Sequence, residues 1–440
     1  MVTERETIIE SEPAPVRKSN VNVRQVLSWT LASFVVRVLA WSWAVHARVQ
    51  PWFDEQFYWP MSQGYADLLA HRGPAFDAWE RAYEHGIWPP LHALLLGIVS
   101  LLTRDPLAAT RFLGVVFGAA TTALIYCLAA RLGNRLAANA AAAIHCLFLP
   151  FVFFSHLLYS ETLYSLLLVG ATFALIRSFE PRRTRYAMLC GALLGLMLLT
   201  RAASAMYPIV FVALALSYPG PRIKRALLVG IPALAIALPW LATLYRNEGR
   251  FVFLTTGNGY NFYLGNNRYI PPGRGSAWAQ HSVLPFLQQE MIADTGDDHM
   301  ASWDQAGKRR AWAYIREEPL GAVKRAGIRV LETWQPDTYL GKYFSLGVYP
   351  PTLLSRPLVF VATLTHYAIL LAGLLGLAIT RHKSVLIGVI AAGMIGPMLT
   401  IGASRFALPL LVILTIPAGC AVARFWERKR AKSLPAVPIA

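Results

Sequence analysis

The chain has 440 residues, of which 55% are hydrophobic and only 15% charged. Soluble chains carry about 25% charged residues, so a water-soluble fold is excluded and an all-α polytopic membrane protein is expected. The net charge of +17, from 41 Lys and Arg against 24 Asp and Glu, falls in short clusters between apolar runs, as the positive-inside rule requires. No base-reading module accompanies it, which excludes nucleic acid as a partner.

Residues 1–25 are polar and mixed in charge, without the pattern of a cleavable signal peptide. They are expected to form a cytoplasmic tail before an uncleaved first span, Val26 to Val45. Basic clusters then fix the topology: Arg17 and Lys18 with Arg24, Arg131 with Arg135, Arg182 and Arg183 with Arg185, Arg222 with Lys224 and Arg225, Arg381 with Lys383, and Arg428 to Arg430. With all six placed inside, the further spans are 107–130, 136–155, 161–178, 186–199, 203–218, 226–245, 357–379, 384–401 and 406–424. About ten helices of the ~20 residues needed to cross a bilayer result, with both termini in the cytoplasm. The run "PPLHALLLGIVSLLT" at 89–103 breaks the parity. It is short and opens on two prolines, so it is expected to be an interfacial or re-entrant helix; an eleventh span is the alternative.

This divides the chain into a transmembrane module over 26–246, with a first non-cytoplasmic loop at 46–106, then a large outer loop at 247–354 and C-terminal spans over 355–426, with a tail at 427–440. The outer loop carries "TTGNGYNFYLGNN", a Gly/Asn-rich turn region, and helices expected from Ser302 to Glu317 and from Leu320 to Thr333. The protein is placed in the inner or plasma membrane, with its site on the non-cytoplasmic face.

Chemistry-bearing residues gather on that face. Asp54 and Glu55 stand in "WFDEQFYW" just after the first span. Adjacent carboxylates at a membrane boundary are costly and suit a general base with a partner; the alternative is a solvated pair that caps a helix starting at Glu55. Glu161 opens a span on the same face, where a carboxylate also complements a helix dipole. Arg111, Arg201, Arg246 and Arg405 stand at outer helix mouths, suited to grip a phosphate or, alternatively, to snorkel or pair with those carboxylates. Arg201 and Arg405 lie outside any basic cluster and are the stronger phosphate candidates. Arg37 lies within the first span and requires a buried partner. The histidines and the four cysteines show no metal-ligand spacing, so no cofactor is expected and a divalent cation has no support in the sequence.

The pieces "FDEQFY", "WPPLHALLL", "YSETLYSLLLVGATFAL", "LLTRAASAMYPIVF", "PWLATLYRNEGRFVFLTTGNGYNFYLGNN" and "SRFALPLLVIL" occur in an order that resembles the glycosyltransferase-C superfamily, within it the protein O-mannosyltransferase and lipid A aminoarabinose transferase group. The resemblance implies inverting transfer of one sugar from a polyprenyl-phosphate donor to an envelope lipid, glycan or protein acceptor, among membrane lipids. By that resemblance Asp54 is the general base, Glu55 and Glu161 shape the pocket, and arginines neutralise the leaving phosphate. Tyr58, Asn258, Tyr260 and Asn261 are candidates for the acceptor or donor pocket. At Trp88 the chain departs from relatives, which often carry Lys or His before the two prolines; His85 and His92 are the substitutes for that phosphate contact. A soluble C-terminal domain like that of the aminoarabinose enzymes is not expected after the last span. A transporter or lipid flippase is the alternative function. It predicts inverted repeats and mid-membrane carboxylates, neither of which is visible in the sequence.

Overall fold

The computed structural model describes residues 21–270, 284–297, 301–336 and 339–433. The basic pair Arg17 and Lys18, most of the expected N-terminal tail, the end of the C-terminal tail and part of the large loop lie outside these residues.

The protein is all-α. Helix α1 (Val23–His46) starts where Asn22 accepts the Gln25 amide at 3.3 Å, and α5 (Pro106–Leu132) starts on an Asp105 cap with proline at its first turn, each satisfying an orphan amide. Between them lie α2 (Glu55–Leu69), α3 (Ala75–Tyr83) and α4 (Leu91–Ser100). At 1.5 Å per residue α4 is about 15 Å long, half the hydrocarbon core. It packs on α2, and the Leu91 amide bonds the Leu199 carbonyl at 2.8 Å.

The segment expected as one span over 136–155 is broken. It forms α6 (Arg135–Leu147) and α7 (Leu149–Phe154), with Phe148 extended between them. Pro150 is the cause, because it supplies no amide to the preceding turn and its ring clashes there. Next come α8 (Glu161–Ser178), α9 (Arg185–Leu198), α10 (Met206–Ser217) and α11 (Arg222–Glu248). The large loop supplies α12 (Asn258–Gly265), α13 (Leu284–Thr295), α14 (Trp303–Glu317), α15 (Pro319–Thr333) and α16 (Tyr339–Ser345), and the chain closes with α17 (Ser355–Leu377), α18 (Lys383–Leu399) and α19 (Leu408–Ser433). The last helix runs past the expected boundary at 426, since Glu, Arg and Lys are good helix formers outside the apolar core.

Five helical segments are long and apolar enough to cross a membrane: Val23–His46, Pro106–Leu132, Arg222–Glu248, Ser355–Leu377 and Ser404–Ala431. They divide by burial. Helix α1 is peripheral: Val23, Leu27, Leu31 and Leu39 are each more than 60% exposed and repeat every four residues as one lipid-facing stripe. Helix α19 is central, with Leu408, Leu411, Val412, Ile413, Leu414 and Ile416 all buried in the main core. Small residues let its neighbours close on it: a Cβ at Gly376 of α17 would fall 1.9 Å from the Pro417 carbonyl, the close approach typical of membrane helices.

The two long loops join at one end of this bundle. Thr255 Oγ1 donates to the Ile87 carbonyl at 2.5 Å, the Thr256 amide to Gly86 at 3.0 Å, and the Tyr83 hydroxyl to Glu248 at 2.8 Å. Helices α12, α13 and α14 have their own apolar core around Tyr260, Tyr263, Leu287, Met291 and Trp303. Gly259 is packed so closely against α14 that a Cβ would fall 1.7 Å from the Asp304 carbonyl. Arg329 of α15 ties this unit to α18 through the Gly265 and Met398 carbonyls.

Candidate active site

Phe53 takes a positive φ of 56°, an uncommon conformation for a bulky residue, and turns the chain so that Asp54 stands at the N-cap of α2. The side chain of Asp54 makes no capping bond, so the cap alternative fails although the helix does begin at Glu55. Instead Asp54 Oδ2 accepts from Arg405 Nη1 at 2.5 Å. Arg405 sits in a 3-10 turn, Ser404–Ala407, leading into α19. Its Nε lies 3.9 Å from Glu161 Oε1, which pairs at 2.7 Å with Arg201 Nη1 from the end of α9. Asp54, Arg405, Glu161 and Arg201 therefore form a chain of alternating charge built from four distant parts of the sequence. Asp54, Arg405 and Arg201 leave 12%, 11% and 13% of their side chains exposed, against 3% for Glu161.

Aromatic faces enclose the cations. The Arg405 guanidinium lies 5.3–5.8 Å from the rings of Phe53, Tyr159, Tyr339 and Phe406, and Arg201 lies 5.7 Å from Phe406 and 6.0 Å from Tyr164. Such faces attract a guanidinium while excluding water. Arg201 Nη1 also bonds Ser160 Oγ at 3.1 Å, which is 3.1 Å from the Tyr58 hydroxyl. Burial pushes that hydroxyl up to about 12, so it stays protonated and neutral.

Glu55 faces the other way and is fully buried. Its Oε1 accepts from the Leu158 amide at 2.9 Å and Arg111 Nη2 at 3.4 Å; its Oε2 accepts from the Tyr343 hydroxyl at 2.9 Å and the Trp52 amide at 3.2 Å. Arg111, 1% exposed, also donates to the Val49 carbonyl at 2.7 Å. The adjacent carboxylates expected to act together thus divide, one into an enclosed network and one towards the arginines. Arg111 is thus part of the enclosed network.

His92 lies near Glu161 and Arg201 but bonds neither. It is buried, bonds the Leu158 carbonyl at 3.0 Å and packs edge-on against Tyr58; burial pushes its imidazole down to about 4, so it is neutral and offers a phosphate no charge. His85 is exposed with φ 51°, and Arg246 is exposed in the last turn of α11. Asn258 Nδ2 bonds the Phe253 carbonyl at 2.8 Å, the Asn261 amide bonds Gly257 at 3.0 Å, and Tyr260 packs on Trp303 at 5.2 Å. Among the described residues none of these three touches the Asp54–Arg201 chain. Sequence reasoning passed over Ser160, Tyr159, Phe406, Tyr339 and Tyr343. Ser160 precedes Glu161 directly, and the two tyrosines are four residues apart on α16, so a helical spacing was there to be read. Among the described residues no group of three or more His, Cys, Asp and Glu side chains could hold a metal ion.

The family model for dolichyl-phosphate-mannose-protein mannosyltransferase matches residues 88–244, a stretch with Glu161 and Arg201 but without Asp54 and Arg405. The apo oligosaccharyltransferase of Archaeoglobus fulgidus is similar in structure, with a TM-score of 0.52 and 15% identity over 94% of this chain and 52% of that one. The chain therefore spans about half the length of that enzyme. ArnT of Cupriavidus metallidurans, bound to undecaprenyl phosphate, gives a TM-score of 0.43 and 12% identity over 93% of this chain and 81% of that one. No curated protein matches the chain in sequence. The likeness to the archaeal enzyme is one of fold and agrees with the glycosyltransferase-C resemblance read from the sequence.

Proposed function

We propose that the protein transfers a single sugar, with inversion, from a polyprenyl-phosphate donor to an acceptor hydroxyl at the non-cytoplasmic face of the membrane. The observation that carries this reading is the Asp54–Arg405–Glu161–Arg201 chain. It sets a carboxylate beside two aromatic-lined guanidiniums at one end of an apolar bundle. The match to the mannosyltransferase family over 88–244 supports it.

In this mechanism the donor phosphate enters beside Arg201 and draws Arg405 from Asp54. Asp54 Oδ2 is then free to take the proton of the acceptor hydroxyl. The acceptor oxygen attacks the anomeric carbon from the side opposite the phosphate, the carbon–oxygen bond to the phosphate breaks, and polyprenyl phosphate leaves. Negative charge grows on the departing phosphate, and both arginines stabilise it. The guanidiniums supply the charge a metal would otherwise provide, so no resident cofactor is needed; a rate insensitive to chelators checks this. Glu55 and Arg111 are positioning residues that fix the start of α2.

For the membrane arrangement we propose ten spans. Helices α6 with α7, α8, α9, α10 and α18 complete the five long segments, α4 stays at the interface, and both large loops face outward. The hydrogen bonds between residues 85–87 and 255–256 support a common side for the loops.

The test is Asp54→Asn in purified enzyme, with released polyprenyl phosphate as the readout. The amide keeps the shape and removes the proton acceptor, so turnover falls about 10²–10⁴-fold while binding of undecaprenyl phosphate persists. Near-normal turnover would sink the assignment of Asp54. Substrate movement without release of polyprenyl phosphate would favour a transporter instead.

A further inference from the structure

Arg405 reaches the site on a stretch of chain that is not helical. Helix α18 ends at Leu399, residues 401–403 form no helix, and Ala403 is extended, with φ −149° and ψ 141°, before the Ser404–Ala407 turn. No helical ladder of hydrogen bonds holds such a stretch. The mechanism above nevertheless needs the Arg405 guanidinium placed to within about 0.5 Å.

The large outer loop supplies the missing support. Each residue from Met398 to Gly402 rests on it. The Met398 carbonyl accepts from Arg329 Nε at 2.9 Å and from Arg329 Nη2 at 2.5 Å. The Leu399 carbonyl accepts from Asn266 Nδ2 at 2.7 Å. The Thr400 carbonyl comes so close to α12 that a Cβ at Gly265 would fall 1.8 Å from it. Ile401 packs on the apolar core of α12, α13 and α14. A Cβ at Gly402 would fall 2.6 Å from the Arg329 carbonyl and 2.9 Å from Glu332 Oε2. Arg405 follows three residues later, and α15 also packs on its turn.

Arg329 is the centre of this clamp. It is 5% exposed, and it also donates to the Gly265 carbonyl and, at 3.4 Å, to Asn266 Oδ1. One guanidinium thus ties the end of α12 to the end of α18. The last four carbonyls of a helix have no partner within it, and a cation there complements the helix dipole. Arg329 and Asn266 together satisfy two of those carbonyls on α18, and they do so from the loop rather than from the bundle.

We propose that Arg329 is a positioning residue for the donor phosphate: by clamping residues 398–402 to the large loop, it fixes where Arg405 stands when that side chain leaves Asp54. The role towards the phosphate rests on the donor reading above; the clamp itself does not. Arg329 acts through the main chain that carries Arg405.

The experiment uses the full chain in lipid nanodiscs and reads the affinity for undecaprenyl phosphate. Arg329→Met keeps much of the bulk and removes the donors, and it weakens binding about tenfold, as expected for side chains that share one network. In an Arg405→Ala background the same change costs less than about twofold, whereas in an Arg201→Ala background it again costs about tenfold. Equal losses in the two backgrounds, or no loss with both arginines present, overturn the positioning role. Gly402→Ala removes no donor but forces the two chains apart, and it gives the same pattern if Arg329→Met fails to fold. Hydrogen exchange without added lipid reads the clamp directly. The amides of Thr400 and Phe406, bonded to the Gly396 and Ala403 carbonyls at 2.9 Å each, exchange about tenfold faster in Arg329→Met as the segment loosens; unchanged rates overturn the clamp. If the wild type does not bind undecaprenyl phosphate, the donor reading falls, and the exchange rates still decide the clamp.

Discussion

Glu55→Gln isolates the enclosed network from the catalytic proposal. The carboxylate accepts four hydrogen bonds, two on each oxygen, whereas an amide offers one acceptor oxygen and an NH₂ group. If the NH₂ faces Leu158 and Arg111, two buried donors confront it. If it faces Tyr343 and Trp52, the tyrosine hydroxyl can rotate to accept, but the Trp52 amide cannot. That flip is the less costly one. It leaves one buried N–H unpaired, at about 1–3 kcal/mol, and removes the countercharge of Arg111. Breaking a buried pair in this way costs about 3–5 kcal/mol in all. The protein supplies its own probe, since Cys146, Cys190 and Cys420 are free and buried and react with a fluorogenic maleimide as the bundle opens. In a detergent-unfolding titration followed by that signal, Glu55→Gln should be destabilised by this amount. Adding Arg111→Met should recover part of the loss, because an unpaired cation is no longer buried. A single variant within about 0.5 kcal/mol of wild type would show that the network does not carry α2.

Arg201→Lys and Arg405→Lys keep the charge but lose the planar fork; each should restore only part of the donor affinity and turnover lost in the alanine variants, and full activity for lysine at both sites would remove them from the phosphate site. Arg104→Cys and Arg268→Cys, one in each long loop, should be labelled by an impermeant maleimide from the same, non-cytoplasmic side of intact cells. Labelling of Arg104→Cys from the cytoplasm alone would make α4 a span and reverse the topology.

The long apolar helices were legible because composition and period determine them: α8 occupies the residues expected, and α1 and α5 extend the expected spans by one to three residues. The break at Phe148 was missed because the apolar run continues through it, though Pro150 was there to be weighed. Helices α2, α3, α12, α13 and α16 are short or mixed in polarity, and packing rather than local pattern makes them helical. Asp54, Glu161, Arg201 and Arg405 were each singled out by type and place, but their pairing was left as an alternative. No local rule joins residues 351 positions apart. The split between Asp54 and Glu55 was likewise invisible, since it follows from one positive φ and from donors on distant helices.

That separation also orders events during synthesis. A ribosome adding 5–20 residues per second needs about 20–70 s to travel from Asp54 to Arg405. Through that interval Asp54 lacks its cation, and in the part of it after residue 201 Glu161 is paired with Arg201. The segment that supplies Arg405 leads into the same helix whose side chains fill the middle of the bundle. One insertion therefore both completes the hydrophobic packing and neutralises the site, and the charge chain closes only after residue 405 has been made.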